Sequence, residues 1–264
     1  MSAAAPQGVD VQRRFGALER LYGVAGAERI RASHVAVVGI GGVGSWAAEA
    51  LARSGVGRLS LIDMDHVVES NINRQAHALD TTLGQAKVRA MAERIALIHP
   101  ACTVHCVDDF AGPQNWPRLL PEPADAVIDA CDQLSAKAAL AAWALQGSGV
   151  FISVGAAGGK QQAERVEVAD LAQVSHDPLL AKLRYTLRRH HGGARGDTPI
   201  GIPCVFSREA VAAPDPSCAV QQSDGSLNCH GYGSSVAVTA TFGMTAAGWV
   251  LRTLARPEQR KSFL

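Results

Sequence analysis

Short apolar runs alternate with helical patterns over the first 150 residues of the chain. The runs are rich in β-branched and aliphatic residues, as in strands buried on both faces, and they predict strands at 35–38, 59–62, 104–107, 126–128 and 150–154. Between them apolar residues recur every three or four positions, which predicts helices at 43–53, 83–99 and 135–145. This alternation predicts an α/β fold with a Rossmann-like, doubly wound and mostly parallel sheet.

The pattern becomes less regular after residue 155. Polar and apolar residues alternate at 164–168, which predicts an exposed or edge strand, and 178–191 has helical spacing. A loop containing Gly and Pro is expected at 191–203, while 215–233 has no periodicity. We find no internal repeat or low-complexity linker. Residues 1–264 are therefore predicted to form a single domain, with a core at 10–155 and a C-terminal elaboration at 156–264.

The C-terminal elaboration ends in an apolar helical pattern at 234–254. Residues 234–251 contain no charged side chain, and this length approaches the ~20 residues that a membrane span needs. Ser, Thr and Gly are frequent in the stretch, however, and small residues suit close helix packing inside a protein. We expect a buried helix, with a membrane anchor or peripheral membrane association as the alternative.

Composition narrows the class of protein. The 264 residues include 25 Lys and Arg against 24 Asp and Glu, and the net charge of +1 excludes a generally cationic nucleic-acid coat. With 47% hydrophobic residues, the chain is also too apolar to be disordered. The six cysteines include no CxxC pair, so neither a disulfide framework nor a four-cysteine zinc site is expected. Residues 1–9 lack the apolar segment of a signal peptide, which favours a cytoplasmic location.

A glycine-rich turn follows the first predicted strand and opens the next helix. Glycines at these positions permit a sharp turn and bring backbone N–H groups close to phosphate, where a helix N-terminus favours negative charge. Asp63 ends the second strand, where a carboxylate can accept hydrogen bonds from both ribose hydroxyls. The order of strand, glycine turn, helix and aspartate predicts a nucleotide site, but it does not show whether the nucleotide is NAD or ATP. The glycines concerned are Gly39, Gly41, Gly42 and Gly44.

The residues after the second strand favour a triphosphate over a dinucleotide. Arg74 and Lys87 supply cations that can clamp about four negative charges, and an NAD site does not need them. Asp132 follows the fourth predicted strand, at the sheet edge where ligands of doubly wound folds bind. A carboxylate at that edge suits Mg²⁺, which takes its other ligands from phosphate oxygens and water.

The glycine turn, the D-x-D-x5-N-x-N-R-Q stretch from Asp63 and Lys87 together resemble the adenylyltransferases related to ubiquitin-activating enzyme, over roughly residues 13–154. The resemblance implies that ATP lies on the glycine turn and that Arg74, Lys87 and Asp132 have catalytic roles, with Asp132 binding Mg²⁺. It also implies that an N-terminal arginine reaches the ATP site of a partner subunit. The remaining candidates for ATP contact are Asp63, Asp65, Asn71, Arg14 and Arg20.

Two further features point to one branch of that family. Zinc-binding CxxC pairs are missing, and the segments at 177–184, 204–207 and 238–243 resemble the tRNA threonylcarbamoyladenosine dehydratase branch. This resemblance implies ATP-dependent cyclisation of threonylcarbamoylated tRNA by a homodimer, with Mg²⁺ and a monovalent cation (K⁺ or Na⁺). One alternative is an adenylyltransferase that activates a carrier-protein C-terminus, with Cys229 as thiol carrier and a cysteine desulfurase or sulfur acceptor as partner. An NAD-dependent oxidoreductase is the other.

Positive charge is concentrated in one segment of the second half. Residues 178–196 contain five cations and no acidic residue, so the remaining chain has four more acidic than basic side chains. Such a segment can neutralise several phosphates and give salt-dependent RNA binding. We therefore expect tRNA contacts from Lys182, Arg184, Arg188, Arg189 and Arg195.

Overall fold

The computed structural model describes residues 10–147, 149–215, 217 and 232–256. These residues contain a seven-stranded sheet. Its strands are β1 (His34–Val38), β2 (Arg58–Ile62), β3 (Thr103–Val107), β4 (Ala126–Asp129), β5 (Val150–Val154), β6 (Val166–Asp170) and β7 (Pro203–Ser207). The longer helices are α1 (Val11–Tyr22), α2 (Val24–Ala32), α3 (Gly44–Arg53), α4 (Lys87–Ile98), α5 (Leu134–Gln146), α6 (Pro178–His190) and α7 (Val236–Leu254).

The strand order in the sheet is β3-β2-β1-β4-β5-β7-β6. All neighbouring strands run parallel except β6, which pairs antiparallel with β7 at the edge. The predicted Rossmann-like, doubly wound and mostly parallel sheet is thereby confirmed. The edge strand begins two residues later than predicted, because 163–165 form a short 3-10 turn before it.

Apolar side chains cover both faces of the sheet. One layer packs α3, α4 and α7 on the sheet, and the other packs α5 and α6 on the opposite face. Gly243 of α7 lies so close to α3 that a Cβ atom there would come within 2.4 Å of the Val43 carbonyl oxygen. The apolar C-terminal pattern thus forms a packed helix, as expected, and within the described ranges no helix is long and apolar enough to cross a bilayer.

Two N-terminal helices precede the first strand, and the hydrophobic pattern did not predict them. Asp10 caps α1 by accepting a hydrogen bond from the Arg13 backbone N–H at 2.9 Å. Phe15 is the main buried side chain of α1, and its ring meets His99 edge-on at 4.7 Å between centroids. The apolar residues of α1 nevertheless follow helical spacing, at Phe15, Leu18 and Tyr22, so the sequence does contain a signal for this helix.

Candidate nucleotide site

A pocket of about 240 Å³ opens at the carboxyl ends of β1, β2 and β4. The strand order reverses between β1 and β4, and open α/β sheets bind ligands in the crevice at such a switch point. The pocket brings together most of the residues that the sequence singled out. They are Gly39, Gly41, Gly42, Asp63, Asp65, Asn71, Arg74, Lys87 and Asp132.

The glycine turn forms the floor of the pocket. Gly39 has a φ of +87°, and a Cβ atom there would lie 2.8 Å from the carbonyl oxygen of Ala130, so the turn requires glycine. Gly41 has open space on its side-chain face. Helix α3 begins without a side-chain cap. The Ser45 N–H donates to Gly41 O at 3.1 Å, while the N–H groups of Gly41, Gly42 and Val43 have no partner among the described residues and can receive an anion such as phosphate.

Asp63 lies beside the turn, and backbone groups hold its carboxylate in place. Oδ2 accepts a hydrogen bond from the Ile40 N–H at 2.6 Å, and Oδ1 accepts one from the Asp65 N–H at 2.9 Å. Burial raises the pKa of Asp63, while nearby Lys87 and these two N–H groups oppose the rise. Each carboxylate oxygen keeps a further lone pair. Asp63 can therefore accept the ribose hydroxyls predicted for it.

Lys87 begins α4 and reaches the pocket from the side of β2. Its Nζ lies 2.6 Å from Asp65 Oδ2. The Lys87 side chain is 8% exposed and that of Asp65 is 55% exposed. The pocket therefore holds a fixed ammonium group whose present partner faces solvent.

Arg74 is the second cation of the pocket, and it is also buried. Its Nη1 donates to the Ser70 carbonyl oxygen at 2.6 Å and to Asn73 Oδ1 at 2.8 Å, and its aliphatic stem packs beside Gly42. Asn71 is buried as well, and its Oδ1 accepts from the Val68 N–H at 3.2 Å. These bonds orient both side chains before any ligand is bound.

Asp132 is an exposed carboxylate on the β4 side of the pocket.

A fully buried ion pair between Lys137 and Asp129 joins β4 to β5. Lys137 Nζ is 2.8 Å from Asp129 Oδ2 and also donates to Val154 O at 2.9 Å. Burial alone lowers the pKa of Lys137, but the Asp129 carboxylate outweighs burial and the net shift is upward. Cys131 donates to Asp129 Oδ1 at 2.9 Å. Burial raises the pKa of this thiol, which also lines the pocket.

Several pocket residues were not predicted from the sequence. Asp109 and Phe110 follow β3, and the segment 155–158 follows β5. Both positions are carboxyl ends of predicted strands, so the reasoning that selected the Asp132 carboxylate could also have selected Asp109. Gln75 also lines the pocket, and its Oε1 is buried without a hydrogen-bond partner among the described residues. This oxygen is available to a donor on a bound ligand.

Some candidates lie outside the pocket. Gly44 lies beneath the turn, where a Cβ atom would overlap the Gly39 carbonyl oxygen at 1.7 Å, so its role is in shaping the turn. Arg14 and Arg20 are exposed on α1, and Arg14 Nη1 donates to the Ile98 carbonyl oxygen at 2.6 Å. They do not line this pocket, so their contact with a partner's site stays a prediction. Cys229 lies outside the described residues.

The cations of the basic segment at 178–196 differ in exposure and in whether they bond backbone oxygens. Lys182, Arg189 and Arg195 are exposed. Arg184 donates to the carbonyl oxygens of Leu171 and Val174 at 3.0 and 2.8 Å. Arg188 similarly bonds backbone carbonyl oxygens, with an Nε to Ala194 O distance of 2.9 Å. Two of the five cations predicted to bind RNA are therefore also used to hold the segment together.

The fold and the pocket define a class of nucleotide-binding enzymes, in which a glycine turn, a carboxylate at the end of the second strand and two buried cations surround one cavity. Within that class, the chain belongs to the ThiF family, whose model matches residues 13–264. The chain is 41% identical over 245 residues to tRNA threonylcarbamoyladenosine dehydratase of Haemophilus influenzae, covering 92% of this chain and 94% of that protein.

Solved structures of an Escherichia coli relative extend this similarity to the fold. The crystal structure of tRNA N6-threonylcarbamoyladenosine dehydratase in complex with ATP is 42% identical, with a TM-score of 0.84 over 93% of this chain and 96% of that one. The complex of the same protein with AMP has the same identity and TM-score, and covers 95% of this chain and 97% of that one.

Proposed function

We propose that the protein is an ATP-dependent tRNA threonylcarbamoyladenosine dehydratase, which cyclises the modified base through an acyl-adenylate. The observation that carries the proposal is the pocket itself, which joins the glycine turn to Asp63, Arg74 and Lys87 at the switch point of the sheet. The relatives support it, because a crystal structure similar over nearly the whole chain contains ATP.

The first step activates a carboxylate. The threonyl carboxylate of the modified base attacks the α-phosphorus of ATP, forming an acyl–phosphate bond and releasing pyrophosphate. Arg74 and Lys87 stabilise the negative charge that develops on the phosphates, and their burial strengthens this effect. Asp63 holds the ribose, and the glycine turn receives phosphate on its free N–H groups.

The second step is intramolecular. A urea atom of the same base attacks the acyl carbon, and AMP leaves with the former carboxylate oxygen, so the net loss is one water from the substrate. Because nucleophile and electrophile belong to one substrate, positioning contributes most of the rate enhancement. The step needs no thiol intermediate, and Cys229 is not assigned a role in it.

Asp132 fits a magnesium ion that is bound mainly by the substrate. Mg²⁺ at nucleotide sites is held by one or two carboxylates together with phosphate oxygens and water. Asp132 supplies one exposed carboxylate in the pocket, and the described residues contain no cluster of three or more His, Cys, Asp or Glu that could hold a metal alone. When bound, the ion would neutralise phosphate charge. The monovalent cation stays a prediction.

The tRNA is proposed to dock along α6. Lys182 and Arg189 are exposed on this helix, and Tyr185, which is 58% exposed, can stack its ring on a base.

A homodimer is part of the proposal, with Arg14 or Arg20 reaching the partner's pocket. We place the protein in the cytoplasm because its proposed substrate is a tRNA, and the proposed reaction does not require membrane association.

Mass spectrometry of nucleosides tests the proposal directly. Incubation with ATP, Mg²⁺ and threonylcarbamoylated tRNA is expected to yield a nucleoside lighter by one water, together with AMP and pyrophosphate. Pyrophosphate release only with a carrier protein ending in Gly-Gly would instead identify the sulfur-carrier alternative. Cys229→Ser separates the two as well, because it removes a thiol carrier and leaves cyclisation intact. Thermal stabilisation by NAD but not by ATP–Mg²⁺ would favour an oxidoreductase.

A further inference from the structure

Asp177 joins the pocket wall to helix α6 through a single carboxylate. Its Oδ1 accepts a hydrogen bond from the Leu180 N–H at 2.9 Å and caps the helix. Its Oδ2 accepts one from the Ala156 N–H at 2.9 Å, and Ala156 lines the nucleotide pocket. The side chain is buried, with 4% of Asp177 exposed. One residue outside the proposed reaction thus holds two elements in a fixed relation.

Gly155 allows this contact. A Cβ atom at residue 155 would lie 2.0 Å from Asp177 Oδ2, so only glycine lets the carboxylate approach the wall so closely. Leu179, the second residue of α6, lines the same pocket. The N-terminal turn of α6 and the segment after β5 therefore form one continuous wall.

The far end of this wall is also anchored. Glu209 accepts hydrogen bonds from the backbone N–H groups of Gln161 and Gln162. Lys160 Nζ donates to the carbonyl oxygens of Glu209 at 2.7 Å and His176 at 3.1 Å, immediately before Asp177. The segment 155–162 is therefore held by side-chain hydrogen bonds at both of its ends.

The cost of replacing Asp177 follows from its surroundings. Burial raises its pKa, while the Leu180 and Ala156 N–H groups and the ammonium groups of Lys160 and Lys137 favour the ionised form. Both carboxylate oxygens have separate donors. The two N–H groups approach different oxygens of the carboxylate, so a side chain with one oxygen cannot lie in both positions at once.

We infer that Asp177 is a positioning residue that couples RNA binding on α6 to nucleotide binding in the pocket. The inference rests on the proposed function, because it takes the exposed cations of α6 as the tRNA-facing surface. The helix has 13 residues, so its basic C-terminal half lies about 20 Å or less from the pocket wall. A displacement of α6 on RNA binding would shift residues 155–158 of the pocket wall through the Asp177 carboxylate.

The test measures the dissociation constant of threonylcarbamoylated tRNA with and without a non-hydrolysable ATP analogue and Mg²⁺. Wild-type protein is expected to bind tRNA at least about fivefold more tightly with the nucleotide, and Asp177→Ser to reduce that ratio below about twofold. Serine still caps α6 but cannot hold the Ala156 N–H at the same time. Asp170→Ser is the matched control, because Asp170 also bridges two segments, accepting from the Ala172 N–H at Oδ1 and from the Gly201 N–H at Oδ2, and it does not line the pocket.

A wild-type ratio near one, or an unchanged ratio in Asp177→Ser, would overturn the coupling. Equal loss in the Asp170→Ser control would overturn it too, because general loosening would then explain the effect. If Asp177→Ser does not fold, Asp177→Asn is measured against the same criteria. Cyclised nucleoside is assayed in parallel. A wild-type protein that shows the ratio but makes no cyclic product would contradict the proposed function and leave the coupling supported.

Discussion

Lys87 Nζ lies 2.6 Å from Asp65 Oδ2 at the side of the nucleotide pocket, and the two partners differ sharply in exposure. The lysine side chain is 8% exposed, whereas the aspartate side chain is 55% exposed. A buried ammonium group needs a partner, while an exposed carboxylate can return to water at little cost. In the proposed function, Asp65 therefore holds the Lys87 ammonium group in place until the phosphates of ATP replace it as partner.

The pair predicts unequal effects of two substitutions. Lys87→Met removes a cation that faces the developing phosphate charge, and pyrophosphate release is expected to fall by about 10²–10³ in kcat. Asp65→Asn leaves the ammonium group in the pocket, so activity is expected to fall much less. Equal losses in the two variants would show that Asp65 itself contacts the reacting groups.

Asp132→Ala is expected to abolish adenylation with little change in stability. The residue is exposed, so its loss should alter the free energy of unfolding by no more than about 0.5 kcal/mol. Chemical denaturation and pyrophosphate release measured on the same preparation test both parts. Asp80→Ala is the matched control, because Asp80 is an exposed aspartate that does not line the pocket. Full pyrophosphate release by Asp132→Ala would remove Asp132 from the proposed metal site.

Much of the pocket could be predicted because the carboxyl ends of parallel strands lie at the same edge of the sheet. Gly39, Asp63 and Asp132 each follow a strand that the apolar pattern identified, and all three line the pocket. Phe110 follows β3 in the same way and was missed, because an apolar residue after a strand carries no chemical signal of its own.

Other parts of the site depend on contacts that no local pattern encodes. Thr239 lines the pocket from α7, which is far along the chain and reaches the site only through helix packing against α3. The Asp177 bridge depends on the absence of a side chain at Gly155, which lies in a different element. Helix α1 is a different case, because its apolar residues Phe15, Leu18 and Tyr22 follow helical spacing and could have been used to predict it.

The exposed cations of α6 predict a specific loss of RNA affinity. If Lys182 and Arg189 contact phosphate as proposed, replacing both with Ala should lower the slope of log K against log salt by about 1.4–1.8. Arg188 is a poorer choice, because its guanidinium group bonds a backbone oxygen, that of Ala194, whereas Arg189 bonds the hydroxyl of the exposed Tyr185. Filter binding over a salt series makes the measurement.

The control for the α6 variant changes charge equally elsewhere. Arg89→Ala combined with Arg252→Ala removes two exposed cations from α4 and α7. This variant is expected to keep the wild-type salt slope. If both double variants lose affinity to the same extent, general electrostatics would account for the effect and α6 would have no special role.

His77 predicts a loss of stability on mild acidification. It is 1% exposed, and neither ring nitrogen has a hydrogen-bond partner among the described residues. Burial, followed by the charges of Lys87 and Arg94, lowers its pKa from 6.5 to about 4. The folded protein then keeps a neutral ring where the unfolded chain takes up a proton. Stability is therefore full above pH 6.5 and declines as the pH falls toward 4, by about 2 kcal/mol between pH 7 and 5.

His77→Leu isolates this contribution from those of other histidines. Burial lowers the pKa of His34 and His99 too, so the wild-type protein should lose stability from several sites over this pH range. The leucine variant is expected to lose about 2 kcal/mol less than wild type between pH 7 and 5, measured by urea denaturation at both values. His190→Gln serves as the control, since His190 is exposed and should leave the difference unchanged. Identical pH dependence in His77→Leu and wild type would mean that the buried ring takes up its proton in the folded state as readily as in the unfolded chain.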